Sequence, residues 1–304
     1  MPPISITSGV VVRFLNKHIR ATFVIPAFIF TAVVLIFPLI YTGYVSMTVW
    51  SGSALKDPKW LGFGNYINLF TSDARFVPAV WRTLLFTLVT VVGEVVLGYM
   101  AALLLRKSFR GQSVVRTIIL LPVVATPVAI AMAWMLILDP NIGLGNIILK
   151  SLGFGTQHFL ADPSGAIWWL MLIDIWQWTP MMILILLAGL TALPEEPYEA
   201  AMVDGASAWQ RFWHLTFPLM LPSMFSAIIL RLVDSLKTFD IIYSTTKGGP
   251  GSSTETLNIY GFLQAFEYTN FGLSSSVIVV FIAIVLAITL LTSRIQNRAE
   301  AILK

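Results

Sequence analysis

The sequence predicts an all-α polytopic membrane protein: six transmembrane helices, with a short helix in a cytoplasmic loop between the fifth span and the one preceding it. Three observations carry the prediction. Of 304 residues, 57% are hydrophobic and only 11% charged. The apolar residues come in blocks of about 20, the helix length that crosses the hydrocarbon core of a bilayer. Between two long blocks lies a polar interruption, 194–222, with Glu195, Glu196, Glu199 and Asp204 in its first half. Inserting each carboxylate into hydrocarbon would cost about 2 to 3 kcal/mol, so this stretch stays on one membrane face.

The spans follow in order. The first, 21–49, comes after a head carrying Arg13, Lys17 and Arg20. A long apolar run without a small-residue cleavage site reads as a retained helix rather than a cleaved leader. Pro26 and Pro38 bend it, which membrane helices tolerate when neighbours satisfy the freed carbonyl. A polar connection with Gly52, Pro58, Gly62, Gly64 and Asn65 leads to the second span, 81–105, and then to a tight basic loop with Arg106, Lys107, Arg110 and Arg116. The third span, 115–138, can kink at Pro122 and Pro127, and a Gly-rich loop runs on to Asp162. The fourth is 166–190, the fifth 223–243 and the sixth 273–292. All belong to a single transmembrane domain, 1–304.

Six spans put both termini on one side. The head, the Arg106 loop, the 194–222 loop and the tail carry 11 Lys and Arg against 6 in the three opposite loops and their flanks. Basic loops stay inside, so both termini and the 194–222 loop are cytoplasmic. The net charge of +4 is spread over loops and gives no reason to expect nucleic acid. With no cysteine there are no disulfides or thiolate sites, and His18, His158 and His214 sit on separate loops, so no metal site is expected. No G-x-x-x-x-G-K-[ST] phosphate cradle occurs, so ATP chemistry would need another polypeptide.

Inside 194–222, Pro197 suits a first helical turn, and Glu195, Glu196 and Glu199 oppose the positive end of the helix dipole. Gly205 suits a left-handed helix end and Ser207 a cap for a second helix. That second helix has Trp209, Phe212 and Trp213 on one face, which predicts a helix lying on the membrane surface.

Glu199-Ala200-Ala201, then Asp204-Gly205-Ala206, then Phe212, Leu215, Pro218 and Pro222, resembles the EAA signature of permease subunits of bacterial ABC importers. Phe37-Pro38, Gly62-x-x-Asn65-Tyr66 and Thr246-x-Gly248-Gly249-Pro250 look like the sugar-import branch, of maltose and glycerol-3-phosphate permease type. The long N-terminal extension and large outer domain of the maltose member are absent. The resemblance implies a single permease domain in the bacterial inner membrane, with Glu199, Ala200, Ala201, Asp204, Gly205 and Ala206 coupling to the ATPase. It also implies a second, different permease chain, two ATP-binding subunits that hold ATP and magnesium, and an extracytoplasmic solute-binding protein. No cofactor is expected in this chain.

Polar groups at membrane depth come next. Arg231, Asp234, Lys237 and Asp240 recur every three residues with alternating sign, so successive members can pair along a helix. Unpaired at mid-bilayer each would cost at least about 2.5 kcal/mol, so they face protein or water. Counting about 1.5 Å per residue puts Asp174 level with Arg231 or Lys237 as a cross-helix partner, with Trp176, Gln177 and Trp178 beside it. By the resemblance, the solute path is expected at Asp174, Gln177, Trp178, Arg231, Asp234, Ser235 and Thr238, with Lys237 alongside. A buried ion-pair network that only holds helices together explains the charges almost as well. Glu94, alone in the second span, is a further candidate.

The reading is a transport subunit, not an enzyme: it passes a sugar or sugar derivative across the inner membrane by alternating access. An importer for another solute, such as a sugar-phosphate or polyol, stays open. An intramembrane enzyme using Asp174 and Asp234 is disfavoured, because no H-E-x-x-H helix, metal cluster or serine–histidine pair occurs at membrane depth.

Overall fold

The computed structural model describes residues 19–302; the head with Arg13 and Lys17 lies outside the described residues. Helix α1 (Ile19–Ser46) contains Pro26 and Pro38, and its described side chains are almost all apolar and exposed. It packs on the last helix, and most of its remaining surface is left uncovered by this chain. A two-stranded hairpin, β1 (Thr48–Val49) with β2 (Lys59–Trp60), and α2 (Gly64–Thr71) follow. Asn65 donates to the carbonyls of Ser46 and Thr48 at 2.9 and 2.8 Å, and Tyr66 Oη meets Ser46 Oγ at 2.7 Å. These bonds tie the C-terminal end of α1 to α2.

Helix α3 (Phe76–Leu105) and α7 (Ala166–Thr191) form the central seam. A Cβ on Gly98 would come 2.7 Å from Met182 Cβ, so only glycine lets the two backbones approach this closely.

The third span is not one helix. α4 (Gln112–Val124) and α5 (Pro127–Ile137) meet at 97°. Pro127 drives the residue before it out of the helical region, and Thr126 is extended and caps α5 with its side chain. At about 20 and 16 Å, neither half crosses a bilayer core alone. Among the described residues, five helices are long and apolar enough to span, six if the bent pair counts as one span. α6 (Leu144–Ser151) lies in the loop before α7.

After α8 (Glu196–Val203) the chain turns into α9 (Ala208–Arg211), passes through a π turn at Phe212–Thr216 and continues as α10 (Phe217–Leu236). The expected surface helix is therefore the bent root of the next span. Pro218 falls in the first turn of α10, where its missing N–H costs nothing, so it does not end the rod.

At its other end α10 breaks at Leu236, inside the membrane-spanning stretch Ala208–Thr245 that includes the expected end at Tyr243. Asn258 donates to the Lys237 carbonyl at 2.8 Å, and the chain restarts as α11 (Asp240–Thr245). α12 (Leu257–Phe266), a ten-residue helix absent from the sequence reading, packs on α3 and on the last helix, α13 (Phe271–Ile302).

Candidate functional site

Three helices cross at a polar layer between two apolar clusters. Toward the end that carries α11 and α12 lie Phe86, Leu170, Ile173 and Ile241; toward the α8 end lie Val95, Met182, Leu186, Met220 and Met224. Between them stand Glu94 of α3, Asp174 and Gln177 of α7, and Arg231 and Ser235 of α10, all buried. Arg231 Nε donates to Glu94 Oε2 at 2.7 Å and Nη2 to Glu94 Oε1 at 2.9 Å, and Nη2 also donates to Asp174 Oδ2. Its guanidinium lies 5.1 Å from the centre of the half-buried Trp178 ring. Ser235 Oγ meets Thr90 Oγ1 at 2.8 Å, while the buried Gln177 Oε1 has no protein partner.

The charge run on α10 therefore divides. Arg231 does not pair along its own helix but joins α3 and α7. Asp234 and Lys237 sit 3.6 Å apart with side chains 50% and 52% exposed, and Thr238 is half-buried beside them. Asp240 lies beyond the break, at the start of α11. Counting depth leaves Asp174 a choice of Arg231 or Lys237, and the structure pairs it with Arg231. The role of Glu94 as the bidentate partner does not follow from depth, since nothing in the sequence states which face of α3 meets α10.

At the opposite end, α8 closes with two paired bonds, Ala206 N to Ala201 O at 2.9 Å and Gly205 N to Met202 O at 3.1 Å. This closure needs a left-handed residue, and Gly205 has φ +74°. Ser207 and Gln210 then exchange a capping box that starts α9. Glu199, Ala200 and Asp204 are exposed and Ala201 and Ala206 half-buried. Met202 and Val203 are 54% and 88% exposed on this polar loop, an apolar surface with nothing of this chain against it.

At the end of the bundle away from α8, Arg75 Nη2 donates to Glu255 Oε2 at 2.8 Å, and its guanidinium lies over the Tyr260 and Tyr268 rings. Burial pushes the Glu255 carboxyl above its ordinary value, against the pull of Arg75. Asp73 Oδ1 accepts from the backbone N–H groups of Arg75 and Phe76 at the start of α3, and Tyr260 donates to Asp73 Oδ2. Among the described residues, no group of three or more His, Asp or Glu could hold a metal ion.

The pattern of the family described as "Binding-protein-dependent transport system inner membrane component" matches residues 94–301. The chain is 35% identical to the trehalose/maltose transport system permease protein MalF of Thermococcus litoralis, over 88% of this chain and 90% of that one. It is 36% identical to the sulfoquinovosyl glycerol transport system permease protein SmoG of Agrobacterium fabrum, over 89% and 87%. The multiple sugar-binding transport system permease protein MsmF of Streptococcus mutans is 30% identical over 95% and 98%. Among solved structures, a chain of a bacterial ABC transporter that imports the acidic polysaccharide alginate superposes with a TM-score of 0.81, covering 95% of this chain and 98% of that one at 21% identity. At that identity the likeness shows the fold.

Proposed function

Given that the chain belongs to the binding-protein-dependent transport system inner membrane components, we propose that it is one membrane-spanning subunit of an ATP-driven importer for a sugar or sugar derivative. It acts as a transport subunit rather than an enzyme, and the relatives named for trehalose, maltose, sulfoquinovosyl glycerol and multiple sugars support the solute class. ATP and magnesium belong to two ATP-binding subunits, the membrane partner is a second, different permease chain, and an extracytoplasmic solute-binding protein delivers the sugar. Both termini and α8 face the cytoplasm.

The observation that carries the solute path is the half-exposed Asp234–Lys237 pair on a membrane-spanning helix. Lipid cannot cover two charges at that depth, so this face of α10 borders water or protein. Trp178, Asp234, Lys237 and Thr238 form the accessible wall of the path, where an indole face and flanking hydrogen-bonding groups suit a sugar ring. Asp174, Gln177, Arg231 and Ser235 stand behind that wall and hold it.

The exposed surface of α8 supports the docking reading: Ala200, Met202 and Val203 offer a small apolar face, with Glu199 and Asp204 at its edge, to a cleft on the ATP-binding subunit. Reconstitution of the complete complex in proteoliposomes with its binding protein tests both halves. We expect ATP-dependent uptake of at least one sugar from a labelled panel, with uptake lowered in Asp234→Asn and Lys237→Gln while the complex assembles normally. ATP-dependent uptake confined to amino acids or inorganic ions would overturn the solute assignment.

A further inference from the structure

Tyr198 of α8 makes two side-chain contacts with the bundle, and they reach two different helices. Its hydroxyl donates to Thr216 Oγ1 at 3.1 Å, and the Arg106 guanidinium lies 5.5 Å from its ring centre. Thr216 is buried in the π turn at the root of α10 and passes a second bond to the Arg211 carbonyl at 3.4 Å. Arg106 is the residue on which α3 ends.

Those two helices meet again in the polar layer. From Thr216 to Arg231 is about 22 Å along α10, and from Arg106 to Glu94 about 18 Å along α3. The far ends of these two rods are joined by the bidentate Glu94–Arg231 pair at 2.7 and 2.9 Å. Tyr198 joins the near ends. The result is a closed frame with α8 at one corner and the wall of the solute path at the other.

We propose that Tyr198 is the positioning residue that transmits displacement of α8 to α10 and α3 together. The inference rests on the reading that α8 docks on the ATP-binding subunit. The residues that would contact that subunit, Glu199 through Asp204, are largely solvent-facing, whereas Tyr198 is turned toward the bundle and half-buried. An α8 free of Tyr198 would still bind its partner, but its motion would reach α10 chiefly through the turn at Gly205. A π turn adds a second reason: its widened hydrogen-bond ladder is where a helix yields, so a side chain fastened there sets how α10 tilts.

The test uses the complete reconstituted transporter with wild type, Tyr198→Phe, Thr216→Val, the double variant and Tyr198→Leu. The measured quantity is solute transported per ATP hydrolysed, a ratio that a purely structural residue would not move in an assembled complex. Tyr198→Phe should lower it about fivefold, the factor attached to one ordinary hydrogen bond. Thr216→Val, which also loses the bond to the Arg211 carbonyl, should lower it at least as far, the double variant should fall no further than Thr216→Val alone, and Tyr198→Leu, lacking the ring as well, should fall below Tyr198→Phe. The ATP-binding subunits should co-purify with every variant in wild-type amounts. A wild-type ratio in both Tyr198→Phe and Tyr198→Leu, or additive losses in the double variant, would overturn the inference. The docking reading is tested separately: a cysteine at Ala200 should cross-link to the ATP-binding subunit, and its failure to do so in an active complex would sink that reading whatever Tyr198 does.

Discussion

Replacing Arg231 by methionine tests the polar layer most directly. The guanidinium makes three charge-assisted bonds, two to Glu94 and one to Asp174, and all three residues are 2% exposed or less. Removing it leaves two buried carboxylates without a cation. Breaking a buried pair from one side costs about 3–5 kcal/mol, and with two stranded groups the upper end applies. Glu94→Gln keeps the shape, an acceptor oxygen and the Asp174 contact, so it should cost about 1.5–3 kcal/mol, the worth of hydrogen bonds to a charged group. Replacing all three at once, Glu94→Leu, Asp174→Leu and Arg231→Met, strands nothing and should recover most of the loss, because apolar substitutes spare the desolvation of three charges. Thermal unfolding of the purified protein in detergent, followed by fluorescence-detected size exclusion, ranks the four proteins. The expected order of midpoints is wild type and triple variant highest, then Glu94→Gln, then Arg231→Met. Wild-type melting of Arg231→Met, or a triple variant less stable than it, would refute the reasoning.

Three further outcomes follow from single positions. Gly205→Val should keep the fold, since no atom lies within 4 Å of its Cβ, yet strain the left-handed turn by about 1–2 kcal/mol; the ATP-binding subunits should then dissociate or uncouple, and full transport with normal stimulated hydrolysis would count against the docking assignment. Gly98→Leu should force apart the seam where Met182 Cβ stands 2.7 Å from the added atom, lowering the thermal midpoint by much more than Gly98→Ala does; equal midpoints would show that α3 and α7 slide freely. Because burial raises the Glu255 carboxyl, the folded protein holds that proton at a pH where the unfolded chain has lost it. Its contribution to stability is full below the ordinary value of about 4.3 and fades as pH rises through the folded value. Glu255→Gln should flatten this part of the pH–stability curve, and an unchanged slope would remove Glu255 from the account.

The apolar blocks and the charge count gave away most of the architecture, because lipid imposes a length and a composition on any segment that crosses it. What stayed hidden depended on partners. The end of α10 is set by an amide on α12, Asn258, which takes up the Lys237 carbonyl, and no local feature of 231–243 announces it. α12 escaped because ten residues are too few to read as a span, although Leu257, Tyr260 and Leu263 recur at helical spacing. The 97° bend was half legible: Pro122 and Pro127 marked a weak point, but the extended Ala125 and Thr126 that turn a kink into a break were not foreseen. In the site, spacing gave the Asp234–Lys237 neighbours, and depth narrowed the partner of Asp174 to Arg231 or Lys237 without choosing between them. Glu94 needed the facing of α3, which its evenly apolar surface does not encode. In the sequence Asn65 is one letter of a motif, and the structure gives it a task, fastening the C-terminal end of α1 to α2.

A helix with charges on two faces raises the question of what fixes its rotation. On α10 one face carries Ala227, Arg231 and Ser235, all buried, and the other Ser226, Leu230, Asp234 and Lys237, all exposed. A slip of one residue turns an α-helix by about 100°. In one sense that slip would carry Asp234 toward Glu94 and Asp174, setting a third carboxylate against two, and would turn Arg231 outward. Hydrophobicity resists this weakly, since Leu230 would pack in the seam as readily as its neighbours do. The Arg231 tie resists it strongly, because only the observed rotation satisfies both buried carboxylates. Buried ion pairs are often poor contributors to stability and good selectors of register. Here the selected register is what places Asp234 and Lys237 on the open face, so the three buried charges choose which two charges α10 presents along the proposed solute path.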